Sequence, residues 1–386
     1  MRSVNIESTR IRRPCETPPE IGTGRVGGAG GGALGLGGGA SSDMICVPAS
    51  REPVAPGTAN PLSTMGSGEV KEPDFRTNFL EANIRALRRE VRKARSLTDG
   101  ILGLNVMMAN TNHADLFRTA VEEEIDIIFS GAGLPLNLPE YVQGNSHTKL
   151  VPIVSSARAA SLICKRWLHK YDYLPDAIVV EGPKAGGHLG FSEGQIDDPA
   201  YSLERLIPEV LEAADTFSTK YGKRIPVIAA GGVYTGRDIR SLIEMGAGGV
   251  QMGTRFVATH ECDADLAFKQ MYVQALPEDI VIIKSPVGMP GRAIRNQYID
   301  DVASGMRKPF NCPYHCISTC DYTNSPYCIA QALISAQKGK FKHGFAFAGA
   351  NAYRIMEIIS VKELFSQLVE GYNDCLLETA IAASPA

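Results

Sequence analysis

The chain has 386 residues, enough to bury a large core, and its 39 basic and 42 acidic side chains leave a net charge of −3 and a pI near 6.2. That balance gives no basic footprint for nucleic acid, and no apolar run approaches the length of a membrane span. Met1–Glu7 carry no apolar h-region, so a cytoplasmic protein is expected rather than a secreted one. The nine cysteines are odd in number and four crowd between Cys312 and Cys328, which argues against a disulfide framework.

Residues 1 to about 70 differ in texture from the rest. Eleven of the eighteen positions from Gly22 to Gly39 are glycine, and scattered prolines follow at Pro48, Pro53, Pro56 and Pro61. No strand or helix pattern is evident, and such a composition cannot offset its chain entropy by burial. Gly22-Thr-Gly-Arg-Val-Gly27 formally matches a nucleotide-binding loop but has no strand before it and no helix after it. The division read from the sequence is 1–71 as a Gly/Pro-rich disordered segment, 72–300 as an α/β barrel and 301–386 as a cysteine-containing extension.

At Glu72 the texture changes. Pro73 and Asp74 can open a helix whose apolar face is Leu80, Ile84, Leu87, Val91 and Ala94. Its other face, with Arg85, Arg88, Arg89, Arg92 and Lys93, reads as a solvated surface. Six strand candidates follow: Ile101–Val106, Ile125–Phe129, Leu150–Val154, Ala177–Val180, Val227–Ala229 and Gly249–Met252. Helical patterns separate them near 113–123, 157–171, 203–221 and 235–245. Alternation of this kind predicts a parallel sheet with right-handed crossovers. Past Phe256 come a helix (Ala264–Leu276), a strand (Ile280–Ile283) and a Pro/Gly connection, Lys284–Arg292. Phe345–Arg354 and a helix near Val361–Tyr372 read as packing elements.

Chemistry concentrates where strands end. The run Ala177–Val180 breaks into Glu-Gly-Pro-Lys-Ala-Gly-Gly-His188, on a loop leaving the strand. In a parallel barrel that loop lies on the catalytic face. A histidine there is placed for proton transfer near neutral pH; an ordinary loop histidine beside a flexible glycine pair is the alternative. Two further strands end in glycine turns, Gly231-Gly232 and Gly253-Thr254, and such paired turns make a phosphate cradle of open backbone N–H groups.

These three motifs, in this order, resemble the nitronate monooxygenase (2-nitropropane dioxygenase) family, and equally the flavin-dependent enoyl-ACP reductases that share its fold. The resemblance runs from about Glu72 to the C-terminal region. It implies a TIM-type (β/α)8 barrel with the first two βα units missing or disrupted, plus a small C-terminal extension. The family's first strand ends in a Gln-Gly-Gly-Met-Gly-like turn, and nothing similar stands in residues 1–70. A frame change in the coding sequence is one account; a natural extension with a partner supplying the strands is the other. The implied cofactor is FMN. Asn105, Glu181, Gly186 and Gly187 would lie against its ring system, Gly231, Gly232, Gly253 and Thr254 would bind its phosphate, and Gln251 and Met252 would line the strand end. His188 would be the catalytic base. The implied activity is oxidation of alkyl nitronates or nitroalkanes by molecular oxygen. The rivals are an NAD(P)H-dependent enoyl-ACP reductase, which needs an acyl carrier partner, and an inactive barrel with a damaged flavin site. Many relatives carry Gln where Glu181 stands, and a carboxylate there would repel a reduced flavin unless protonated or hydrogen-bonded.

Cys312, Cys316, Cys320 and Cys328 form C-x3-C-x3-C-x7-C. Four thiolates so close could hold an iron–sulfur cluster or zinc; reduced structural thiols are the other reading. Longer relatives of the family carry a similar segment.

Overall fold

The computed structural model describes residues 77–144, 147–306, 312 and 314–382, with the short segments 46–48 and 58–59. Most of the Gly/Pro-rich segment assigned to residues 1–71 therefore lies outside the described residues. The two short segments are a finding that the sequence did not suggest. Cys46–Pro48 (β1) and Thr58–Ala59 (β2) pair with the two ends of the main sheet, β1 antiparallel and β2 parallel to its neighbour. Sheet edges offer unpaired N–H and C=O groups to any extended backbone, so this pairing needs no side-chain pattern to announce it.

The first helix, α1 (Phe79–Leu97), buries Phe79, Ala82, Ala86, Leu87, Val91 and Ala94 together with Asn83 and Glu90. The apolar stripe is thus rotated from the predicted one: Leu80 is 48% exposed. The basic face meets the next helix, α2 (His113–Glu122). Arg88 pairs with Glu122 at 2.5 Å, Arg92 with Glu123 at 2.7 Å and Arg95 with Asp126 at 2.7 Å. Exposed pairs of this kind are worth about 0–1 kcal/mol each, and they account for the basic face without any partner.

Six parallel strands then alternate with helices: β3 (Gly103–Met107), β4 (Ile127–Gly131), β5 (Lys149–Val154), β6 (Ile178–Glu181), β8 (Val227–Ala230) and β9 (Gly249–Gln251). β7 (Gly187–His188) belongs to a second sheet. The main sheet has the order β1-β9-β8-β6-β5-β4-β3-β2. The crossover helices are α2, α3 (Ala157–Tyr171), a longer α5 (Leu203–Tyr221) preceded by the single turn α4 (Glu193–Ile196), and α6 (Gly236–Glu244). Their ends follow local chemistry. Thr235 Oγ1 accepts from the Asp238 N–H, and Asp238 Oδ2 accepts from the Thr235 N–H, a reciprocal cap that fixes the start of α6.

Side chains of the parallel strands divide by register. Leu104, Val106, Ile128, Leu150, Ile178, Val180, Val227, Ala229 and Val250 face the helices in one large core with Trp167, whose indole N–H donates to Pro135 O at 2.8 Å. The other face, the concave side of the curled sheet, holds a smaller cluster of Phe129, Val151, Val179 and Ala230 with Ile153 and Ile228.

The rest of the chain closes over the C-terminal ends of these strands. After β9 come α7 (Thr254–Val257), α8 (Leu266–Gln274) and a hairpin, β10 (Ile280–Lys284) with β11 (Pro290–Ile294). The predicted Pro/Gly connection is in fact the turn and second strand of this hairpin. β11 also pairs with β7, placing Gly291 opposite His188 and Arg292 opposite Gly187. His188 is therefore part of a strand ladder, not of a free loop. Beyond α9 (Gln297–Ala303) and α10 (Ile329–Gln337), α11 (Val361–Ala382) packs back against α6. No helix among the described residues is long and apolar enough to cross a membrane.

Candidate active site

Parallel strands put their C-terminal ends on one edge, so the predicted site residues converge there. Register sharpens the grouping. Asn105 aligns with Phe129 and Val151, while Glu181 aligns with Ala230, which aligns with Gln251. Aligned neighbours on parallel strands share a face. Asn105, Glu181 and Gln251 are thus polar side chains set into the concave apolar face, whereas Met252, expected to line the strand end with Gln251, packs in the helix-facing core on the other side.

Glu181 is ringed by protein yet keeps a solvent-reachable surface, so its carboxyl lines a cleft. It has no hydrogen bond or ion pair among the described residues. Desolvation alone pushes its pKa up to about 8. The side chain is therefore neutral at pH 7, which removes the repulsion that a carboxylate would bring.

His188 is 6% exposed. Its Nε2 lies 2.5 Å from Ser285 Oγ, in the turn of the β10–β11 hairpin, and its ring meets the edge of Phe347 at 5.0 Å. Its Nδ1 is buried with no hydrogen-bond partner among the described residues. A buried polar atom left unpaired is costly, and this one lies at the strand-end edge where the other candidate residues gather. Desolvation lowers the imidazole pKa to about 4, so the ring is neutral near pH 7. Ser285 Oγ also accepts from the Val287 N–H at 3.2 Å.

The loop from β6 to His188 is held by Arg292. This buried guanidinium donates from Nη1 to Pro183 O at 2.5 Å and to Ala185 O at 2.8 Å. Burial lowers its pKa.

The glycine turns have a reason beyond ligand access. Gly187, Gly231 and Gly232 have φ of +75°, +91° and +95°, values that side chains disfavour. A Cβ on Gly186 would stand 2.6 Å from the Ala348 carbonyl carbon and the Gly349 nitrogen. On Gly231 it would stand 2.7 Å from Gly182 O, and on Gly232 2.8 Å from Lys184 Cβ. Three loops are packed backbone to backbone. Phe345–Arg354, read from sequence as packing, is the third of them. The Gly349 N–H donates to Thr254 Oγ1 at 3.0 Å, Asn351 Nδ2 donates to Gly232 O at 2.6 Å, and the Ala350 N–H donates to Lys184 O at 3.0 Å. By resemblance, Lys284–Arg292 is expected to lie over the site, with a plain connection as the alternative; the individual contacts of Ser285 and Arg292, and the role of this third segment, do not follow from it. Only the run of small residues Ala348-Gly349-Ala350 hinted at a close approach.

The cysteine segment roofs the same edge. The Thr111 N–H donates to Cys316 O, the Ser318 N–H to Ala109 O, and Thr319 Oγ1 to Val287 O at 2.7 Å. Cys316 and Cys328 share a cluster with Met107, Ala109, Val287 and Phe347. Burial raises the Cys316 thiol to about 12 and the Cys328 thiol to about 11. Among the described residues no three His, Cys, Asp or Glu side chains come together in a way that could hold a metal ion. The described residues thus show no preformed zinc or iron–sulfur site at these thiols. Flavin fits better: a cleft with an unpaired imidazole nitrogen, a neutral carboxyl and a cradle of glycine turns suits a ring system with a phosphate tail.

Known proteins share these features. The chain is 27% identical over 217 residues to the (3aS,4S,5R,7aS)-5-hydroxy-7a-methyl-1-oxo-octahydro-1H-indene-4-carboxyl-CoA dehydrogenase of Mycobacterium tuberculosis, covering 56% of this chain and 55% of that one. It is 34% identical over 129 residues to a probable nitronate monooxygenase of Staphylococcus aureus, covering 33% of this chain and 34% of that one. The chain thus spans between a third and about half of the length of these curated relatives. The solved structure of FabK from Thermotoga maritima superposes with a TM-score of 0.60 at 26% identity, over 77% of this chain and 84% of that one. The family model for nitronate monooxygenase matches residues 79–371, from the start of α1 into α11, and the chain belongs to that family of oxidoreductases.

Proposed function

We propose that the chain is an FMN-dependent nitronate monooxygenase that oxidises alkyl nitronates or nitroalkanes with molecular oxygen. The observation that carries this reading is His188: buried, neutral, anchored at Nε2 by Ser285 and left without a hydrogen-bond partner at Nδ1 among the described residues. With Nε2–H donated to Ser285 Oγ, Nδ1 carries the lone pair that removes the α-proton of a neutral nitroalkane, or as N–H in the other tautomer it steadies a nitronate oxygen. Asn105, Glu181, Gly186, Gly187 and Gln251 would hold the flavin ring system, and Gly231, Gly232, Gly253 and Thr254 its phosphate. When bound, the flavin supplies the electron-accepting chemistry. A protonated Glu181 would donate a hydrogen bond to a bound ring without adding negative charge, and Phe347 packs its edge against the His188 ring.

A second reading, a flavin oxidoreductase acting on an acyl thioester, has the Mycobacterium tuberculosis relative in its favour, whose name carries a carboxyl-CoA substrate. One experiment separates them. The purified yellow protein is mixed anaerobically with ethylnitronate or with NADH and NADPH, and the flavin absorbance is followed. Loss of colour with nitronate, and oxygen consumption when air is admitted, supports the first. Bleaching by a nicotinamide and recovery with an enoyl thioester, without response to nitronate, sinks it. A colourless protein that cannot be reconstituted with FMN means an inactive barrel.

A further inference from the structure

Around the glycine cradle lie cations that the reaction does not use. Arg255 follows Thr254 directly, donating from Nη1 to Tyr234 O at 3.0 Å and from Nη2 to Gln367 Oε1 at 2.9 Å. Its guanidinium carbon lies 4.4 Å from the centroid of the Tyr234 ring, and that of Arg354 lies 4.2 Å from the same centroid. The two like charges are therefore held within about 9 Å of each other, close enough to repel at the ionic strength of a cell. Neither is in an ion pair among the described residues. Arg354 is exposed, whereas Arg255 is half-buried. A third cation, Lys184, is exposed, and its stem lies across Gly232, with Cβ 2.8 Å and Cδ 3.2 Å from where a Cβ on that glycine would be. It too has no ion pair among the described residues.

All three are tied to the cradle by the chain itself. Tyr234 stands two residues past Gly232. Arg354 ends the segment whose Gly349 N–H and Asn351 side chain bond to Thr254 and Gly232. Lys184 O accepts from Ala350 N–H of that segment. Guanidinium groups stacked on an aromatic ring can be stable without a ligand. That alone does not explain three uncompensated cations at the rim of one turn. A phosphate monoester brings about −1.5 to −2 charges at neutral pH and would be balanced by them.

We propose that Lys184, Arg255 and Arg354 form an anion subsite at the outer edge of the glycine cradle, which takes a phosphate group of the bound flavin. This rests on the flavin reading above and goes beyond it by assigning residues that the glycine motifs do not include. The recognised chemistry is a phosphate: a mononucleotide brings one, a dinucleotide a second.

The test uses full-length chain freed of flavin, titrated with riboflavin, FMN and FAD by fluorescence quenching. Wild type is compared with Arg354→Gln, Arg354→Lys and Lys184→Gln, each checked for an unchanged melting curve. Arg354→Gln is expected to weaken FMN by about tenfold or more, to leave riboflavin unchanged and to flatten the salt dependence, with Arg354→Lys recovering part of the loss. If wild type prefers FAD to FMN and the variant loses that preference, the subsite takes the second phosphate. If wild type does not, it takes the first. Equal affinity of wild type, Arg354→Gln and Lys184→Gln for both FMN and FAD overturns the proposal. Should wild type bind no flavin at all, the flavin reading fails. The subsite is then judged alone with inorganic pyrophosphate: a melting temperature raised in wild type but not in Arg354→Gln upholds it, and no shift in either overturns it.

Discussion

His188 and Glu181 stand on opposite sides of the same argument about desolvation. The cleft withholds water from both, so each adopts its neutral form: the imidazole pKa falls to about 4 and the carboxyl rises to about 8. His188→Ala is expected to retain flavin and lose turnover of neutral nitroalkanes by about 10²-fold or more, measured as oxygen uptake. Unchanged turnover would remove His188 from the chemistry. Glu181 makes a separate prediction about stability. Its folded pKa lies above its unfolded value, so folding holds a proton that the unfolded chain releases as pH rises from about 4.5 to about 8. Stability is lost over that window. Glu181→Gln should lose the fall in melting temperature that the wild-type chain shows between about pH 6.5 and about 8, above the window in which His188 titrates. A wild-type curve equally flat would mean that the carboxyl is ionised. His188 works in the opposite sense: its folded pKa is depressed, so its contribution is lost as pH falls from about 6.5 to about 4.

At the scale of elements, the β10–β11 hairpin holds His188 of β7 in place. It pairs His188 into a ladder through Gly291 and brings Ser285 to Nε2. Ser285→Ala should lower kcat for nitroalkanes by about tenfold while leaving KM nearly unchanged, because the ring loses its orientation and not its pocket. A loss confined to KM would place Ser285 in substrate binding instead. The cysteine segment gives a second expectation at this scale. Iron and zinc in anaerobically purified protein decide between its two readings: about one metal per chain means a metal centre, and both well below one leave reduced structural thiols. The six parallel strands and their helices were legible because buried strands write continuous apolar runs and glycine marks their ends. The Glu-Gly-Pro-Lys-Ala-Gly-Gly-His sequence likewise announced a site. What could not be read was who touches it. Ser285 lies 97 residues from His188, and Asn351 lies 119 from Gly232, both inside stretches with no periodicity of their own. The stripe on α1 was misplaced because Asn83 and Glu90, both polar, occupy buried positions that a hydrophobic count passes over.

For the whole molecule, the open question of design is its two sheet edges. β3 is covered by a two-residue strand and β9 by a three-residue one that runs antiparallel to it. Eight strands close a barrel of this type, all parallel. We expect the coding DNA for residues 20–70, read in another frame, to give a Gln-Gly-Gly-Met-Gly-like strand end and a second apolar strand. If neither frame does, the segment is native to the chain and a partner must cover the edges. The edited and unedited chains would also differ in solubility, because unpaired edges recruit other chains.

The clasp formed by Gly349, Ala350 and Asn351 has a consequence for how the protein is made. Synthesis runs from the N-terminus, and the early strands can assemble as they emerge. The turns after β6, β8 and β9 are fastened together by residues that emerge about a hundred or more positions later. A ribosome stalled before Gly349 would hold a folded sheet with its phosphate-binding loops unfastened.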